Sequence, residues 1–199
     1  MRNARDLFGK LISRLRRKAR GMRAHGKSGS AAVEFAMIAP VLFLFLSGII
    51  EVGVLFFAES TLQNATDDAA RQVRTGQLQG TVTSAQLTTL ICNEMSALIS
   101  TTTCTGNLQV DMRVTNGFSA ANYSGVTNPD GSLNNGAMAV QNSDACQVVL
   151  FRAFYPWTIM TPLMAPLIQN MPGGKYLLTA AEAFRNEPYN DPNVPNPTC

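Results

Sequence analysis

The segment from Phe35 to Ala58, FAMIAPVLFLFLSGIIEVGVLFFA, holds 24 residues and one charge, Glu51. At about 1.5 Å rise per residue it reaches roughly 36 Å as a helix, enough to cross a hydrocarbon core of about 30 Å with some tilt. A soluble core helix of this length needs a polar face, and none appears before Glu51. The run therefore reads as a single membrane span over about 35–58, with the rest of the chain on its two sides.

Charge divides the chain at the same place. Residues 1–29 hold ten of the sixteen basic residues and one acid, Asp6, whereas 30–199 hold six basic and twelve acidic residues. A basic flank stays on the cytoplasmic side, which puts the C-terminal 140 residues outside. That length supports one small folded domain. Its four cysteines, Cys92, Cys104, Cys146 and Cys199, favour two disulfides over a metal site. The sole histidine, His25, lies in the basic leader, and no Cys-x-x-Cys spacing occurs. Of three possible pairings, Cys92–Cys104 with Cys146–Cys199 is favoured, because the first closes a short loop and the second ties down the tail.

The leader carries Leu7, Phe8, Leu11, Ile12 and Leu15 at helical spacing among arginines. Two readings stay open: a segment lying on an anionic membrane surface, and a disordered leader that only sets orientation. Nothing aromatic or Gly-rich supports nucleic-acid binding. A span directly behind the leader argues against an organelle transit peptide. An ordinary secretory signal has its small-residue cleavage site after the apolar region. Here Gly29, Ser30, Ala31 and Ala32 precede it. Cutting there removes most of the positive charge and keeps the anchor.

This block, GSAAVEFAMIAPVLFLFLSGIIEVG, resembles type IV pilins of the tight-adherence (Tad) class, and specifically the TadE-like pseudopilin family. Prepilins of that class are cut after a glycine and carry glutamate and an aromatic residue at mature positions five and six. The matching residues are Gly29, Ser30, Glu34 and Phe35, with Phe35 where major pilins usually have Tyr. Tyr155–Trp157 (YPW) and Ala183–Pro188 (AFRNEP) also look like this family. The resemblance implies cleavage between Gly29 and Ser30 by a prepilin peptidase. It also implies pairing of the new Ser30 α-amine with Glu34 of a neighbouring subunit. The amine has a reference pKa of about 8 and is mostly cationic at neutral pH, so pairing neutralises both charges in a low-dielectric bundle. Without the resemblance, Glu34 is an acid near a helix N-terminus, stabilised by about 0.3–1 kcal/mol through the dipole.

Pro40 interrupts the run and is expected to kink it. Glu51 is expected to snorkel to the interface, or to contact a packed subunit. Ser47, Gly48 and Gly53 would admit a neighbouring helix. Beyond the span, Leu62, Ala65, Ala69 and Val73 continue the helical period to a stop at Gly76. A helix from Ser30 to Thr75 is about 69 Å long, its outer half covered by the head.

Three divisions follow: a leader (1–29), a helix (30–76) and an exported head (77–199). The fold class expected is α+β, a membrane helix followed by helices and a short antiparallel sheet. In the head, Ser84 caps a helix over Ala85–Ile99, and 108–114 alternates as a half-buried strand. Residues 116–145 form a polar surface loop with a turn at Asn128–Gly131, read first as an irregular solvated loop and second as a place for partner specificity. A second strand runs 147–155 and stops at Pro156. Its face bearing Arg152 is expected to be incompletely buried. Residues 157–171 are an apolar connection that packs on the core or rests on the membrane. Tyr176–Arg185 reads as a third strand and the end as an extended Pro-rich tail.

No catalytic constellation accompanies these elements. The exported part has no histidine, no Gly-x-Ser-x-Gly elbow and no acid cluster, and Glu182 and Glu187 read as isolated surface or structural acids. No enzyme, cofactor or metal is expected. The function implied by the resemblance is that of a minor pilin or pseudopilin assembling a Tad-type pilus used in adhesion. Major pilins of the class are far smaller than this chain with its head. Partners would be the prepilin peptidase, other Tad pilins and pseudopilins, inner-membrane assembly proteins and membrane lipid. The expected location is the bacterial inner membrane with a periplasmic head, or the pilus itself. The alternative is a single-pass exported binding protein or enzyme unrelated to pili.

Overall fold

The computed structural model describes residues 26–78, 82–123, 126–189, 194 and 198–199. The leader's apolar spacing and most of the Pro-rich tail lie outside the described residues. Two compact units are present, 1–47 and 48–199. One helix, α1 (Gly26–Arg74), contributes to both, and Pro40 lies within it without ending it. The second half of α1 therefore belongs to the head's own core.

In that second unit the elements are α1 to Arg74, α2 (Ser84–Glu94), α3 (Thr101–Asn107), β1 (Gln109–Thr115), β2 (Val148–Thr158), α4 (Ala165–Ile168) and β3 (Lys175–Arg185). The strands make one antiparallel sheet in the order β1-β2-β3. One face, with Val110, Met112, Phe151, Ala153, Leu178 and Phe184, packs on the residues that α1 presents at Ala58, Leu62, Ala65, Ala69 and Val73. Alanine at this spacing lets a sheet approach a helix closely, which is why a semipolar helix is buried here instead of standing as a rod. Leu87, Ile91 and Met95 of α2 and the turn after it close the same core. The fold is α+β with a long N-terminal helix.

Gly76 ends α1 through φ +69°, with Gly76 N–H donating to Val73 and Gln77 N–H to Gln72, both at 3.0 Å. This pair of bonds is a Schellman motif, which needs a residue tolerant of the left-handed region. A Cβ at Gly76 would also meet the Tyr189 ring at 2.5 Å. Gly76→Ala is expected to cost at least about 1–2 kcal/mol from backbone conformation alone. A lowered urea midpoint, followed by Trp157 fluorescence, checks it.

Several local expectations change in three dimensions. The cap of α2 is Thr83, not Ser84, because Thr83 and Gln86 form a reciprocal capping box. The α-helix ends at Glu94 and tightens into a 3-10 turn over Met95–Ala97. Pro156 does not stop β2. It lies past the last β1 pair, Gln109↔Phe154, where β2 has a neighbour on one side only and proline is tolerated. The polar face of β1 is only partly solvated, since Asp111 is fully buried while Gln109 and Arg113 keep partial exposure. The face carrying Arg152 is likewise closed, because loop residues Val126, Leu133 and Met138 pack over Phe154, Met171 and Leu177. The loop is also hydrogen-bonded to the free edge of β1, by Met112 N–H to Ala139 at 2.8 Å and Gln141 N–H to Met112 at 2.9 Å.

Glu182 is half-buried, the structural one of the two readings. It pairs with Phe151 on the inner face of the sheet, and its Oε2 is buried with no hydrogen-bond partner among the described residues. Burial raises its carboxyl pKa, nearby Asp67 adds to the rise, and Arg74 opposes it. A carboxyl raised in the folded state withdraws stability as pH rises from its unfolded value through its folded one. Glu182→Gln is therefore expected to raise the thermal midpoint near pH 7 and to leave it nearly unchanged at about pH 4. Melting the two proteins across that range is the check.

Candidate functional site

The residues singled out around the apolar run fall into two places. Gly29, Ser30, Glu34 and Phe35 lie on the first turns of α1, all exposed. One helical turn separates Ser30 from Glu34, so the Ser30 hydroxyl donates to Glu34 Oε1 at 3.1 Å. Nothing lies within 4 Å of a Cβ built on Gly29. Val33 and Phe35 flank the carboxylate as exposed apolar surface. This end of the helix offers an unburied acid amid apolar side chains, a pattern suited to contact with another apolar helix bearing a cation.

The second place is Glu51, which sequence reasoning set at the interface or against another subunit. It does neither. Glu51 is 4% exposed, and its carboxylate is held by the connection between β2 and β3. Met160 N–H donates to Oε1 at 2.9 Å, and Thr161 N–H and hydroxyl donate to Oε2 at 3.0 Å each. Gly48, three residues earlier, lies against the Met164 side chain, whose Cε would be 3.0 Å from an added Cβ. Its missing side chain thus admits this chain's own connection, not a second helix. At Gly53 nothing lies within 4 Å. A lone acid in an apolar run signals that some partner exists. The donors are mainly backbone N–H groups, however, and these leave no mark in a sequence.

The head carries the disulfides Cys92–Cys104, between α2 and α3, and Cys146–Cys199, from the start of β2 to the last residue. The YPW segment places Tyr155 and Trp157 in the main core with ring centroids 6.3 Å apart. Burial raises the Tyr155 hydroxyl pKa. The AFRNEP segment places Asn186, 1% exposed, against Ser143 and the Asp144 carbonyl at 2.9 and 2.8 Å. Among the described residues no group of three His, Cys, Asp or Glu side chains forms a metal site.

No curated protein and no solved structure matches the chain. A family model does: TadE-like protein, over residues 29–71, about a fifth of the sequence. The match opens at Gly29 and runs past Glu51, and the helix from Gly29 to Arg74 is long and apolar enough to cross a membrane. What the comparisons show is therefore a likeness to TadE-like proteins, carried by this N-terminal segment.

Proposed function

We propose that the chain is a minor pilin or pseudopilin that takes part in assembling a Tad-type pilus used in surface adhesion. A prepilin peptidase cuts between Gly29 and Ser30. The basic leader stays in the cytoplasm, and the helix remains in the inner membrane with the head in the periplasm. The new α-amine of Ser30 then pairs with Glu34 of a neighbouring pilin or pseudopilin, while Phe35 and Val33 pack at the same contact. Other Tad pilins and inner-membrane assembly proteins are the partners. One observation carries the reading: the family match begins at Gly29, where small residues precede the apolar helix instead of following it.

The mass of the protein from membranes of cells with and without the peptidase tests it. The expected result is a polypeptide beginning at Ser30 only when the peptidase is present. A full-length chain in both cases overturns the proposal and favours a plain single-pass anchor. Glu34→Gln is expected to leave cleavage intact and to reduce recovery of neighbouring subunits after cross-linking. Undiminished recovery removes the assembly role from Glu34.

A further inference from the structure

The connection between β2 and β3 is apolar and uncharged. No charged residue occurs between Arg152 and Lys175. Its tip exposes Met160, Leu163 and Leu167 at 67%, 72% and 76%, with none of the described residues of the head folded over them. Single exposed apolar residues need no explanation. Three on one short uncharged loop, beside further exposed apolar surface, do.

The loop's level along α1 is set by Glu51. Through three hydrogen bonds from Met160 and Thr161, the loop is held to a residue seven positions inside the apolar run that ends at Ala58. Seven residues of helix correspond to about 10 Å. Met164 against Gly48 brings the same loop a further turn inward. At this level α1 itself exposes Ile49, Ile50, Phe56 and Phe57. Between loop and helix lies a hollow of about 150 Å³ whose lining includes Val52, Leu55, Phe56, Ile168 and Tyr176, with Glu59 toward the outer end.

We propose that residues 159–168 are a membrane-inserting wedge that enters the outer leaflet beside the chain's own helix, with lipid acyl chains as the occupant of this apolar surface. The proposal rests on the reading of α1 as a membrane span. Glu51 then serves as the depth stop. Its carboxylate and the loop's backbone N–H groups satisfy each other where no water is available, which lets an irregular segment sit at that level. Met160, Leu163 and Leu167 reach the hydrocarbon boundary, and Tyr176 lies where aromatic residues favour the interface. The head is thereby seated on the bilayer at two points instead of standing on one helix.

Depth-dependent quenching tests this with the full chain in phosphatidylcholine–phosphatidylglycerol vesicles, with and without brominated acyl chains. Leu163→Trp and Leu167→Trp are made at exposed positions, and the buried Trp157 of the unsubstituted chain sets the background. Insertion by roughly 5–10 Å should remove about half or more of the added tryptophan's emission in brominated vesicles. Ile38→Trp reports on the span. If Ile38→Trp is quenched and both loop tryptophans are not, the wedge is wrong while the span stands. If none is quenched, the span reading fails and the wedge with it. Loop tryptophans that stay bright while copies cross-link through position 163 in proportion to protein density also overturn the proposal, because the surface then seats a second copy.

Discussion

Asp111→Ala is expected to unfold a large part of the head's stability, by about 3–5 kcal/mol. Asp111 is fully buried and directly opposite Arg152, itself 5% exposed, in the β1–β2 register. Arg152 donates to Asp111 Oδ2 from Nη2 at 2.6 Å and Nε at 3.1 Å. Arg113 Nε and the Ala139 N–H each donate to Oδ1 at 3.0 Å. Removing the carboxylate leaves the Arg152 guanidinium inside the fold without its counter-charge, and desolvation makes such a charge far more costly than the pair was favourable. Arg113 is partly exposed and stays hydrated.

The same group fastens the 116–145 loop over the sheet. Arg152 Nη1 donates to the Asn122 carbonyl at 3.2 Å, and Arg113 donates to the Ala137 carbonyl. Loss of Asp111 should therefore expose this loop to protease before the rest of the head opens. Urea unfolding of the full chain in detergent, followed by Trp157 fluorescence, measures the first effect. Limited proteolysis measures the second. Asp111→Leu with Arg152→Met should recover most of the loss, since an apolar pair of similar volume needs no counter-charge. A loss below about 1 kcal/mol for Asp111→Ala would mean that water reaches Arg152 and that the loop is not the seal described.

Cys146→Ser with Cys199→Ser should cost about 4 kcal/mol by loop-closure entropy. The bond joins residues 53 apart in sequence and encloses both β2 and β3 with the uncharged connection between them. Without it Asn186, whose N–H donates to Gln147 at 2.9 Å, loses the covalent brace beside it. The Cys92–Cys104 bond spans 12 residues and constrains the unfolded chain less, by about 3 kcal/mol on the same basis. Urea midpoints of the double-serine variant, read against the parent with and without reductant, test this. Equal midpoints for variant and oxidised parent would show that the tail contributes nothing to the head. Because the loop entropy acts on the unfolded state, the folded head's Trp157 emission should not change.

Much of the architecture can be read from local pattern. The length of the apolar run, the leader's arginines and the alternation in β1 each depend on neighbours a few residues away. So do the small-residue spacing at Ala65 and Ala69 and the stop at Gly76. The order of Gly29, Ser30 and Glu34 ahead of a hydrophobic helix is likewise linear information, and it pointed to the family that the segment matches. Pairings between distant residues were not legible. Asp111 and Arg152 are 41 positions apart and each looks like solvated surface until a loop closes over both. Glu51 and Thr161 are 110 positions apart, and two of the three donors are backbone groups shared by every residue type.

Pattern along the chain was enough to define a greasy helix and an α+β head, because burial periodicity is a property of consecutive residues. Folding in three dimensions decided which charges are inside. It made a buried ion pair of two strand residues and turned Glu51 from a free acid into a clamp. The physical reason is that an ionised group's energy depends on the dielectric and donors around it, and those are supplied by parts of the chain that sequence order keeps far apart.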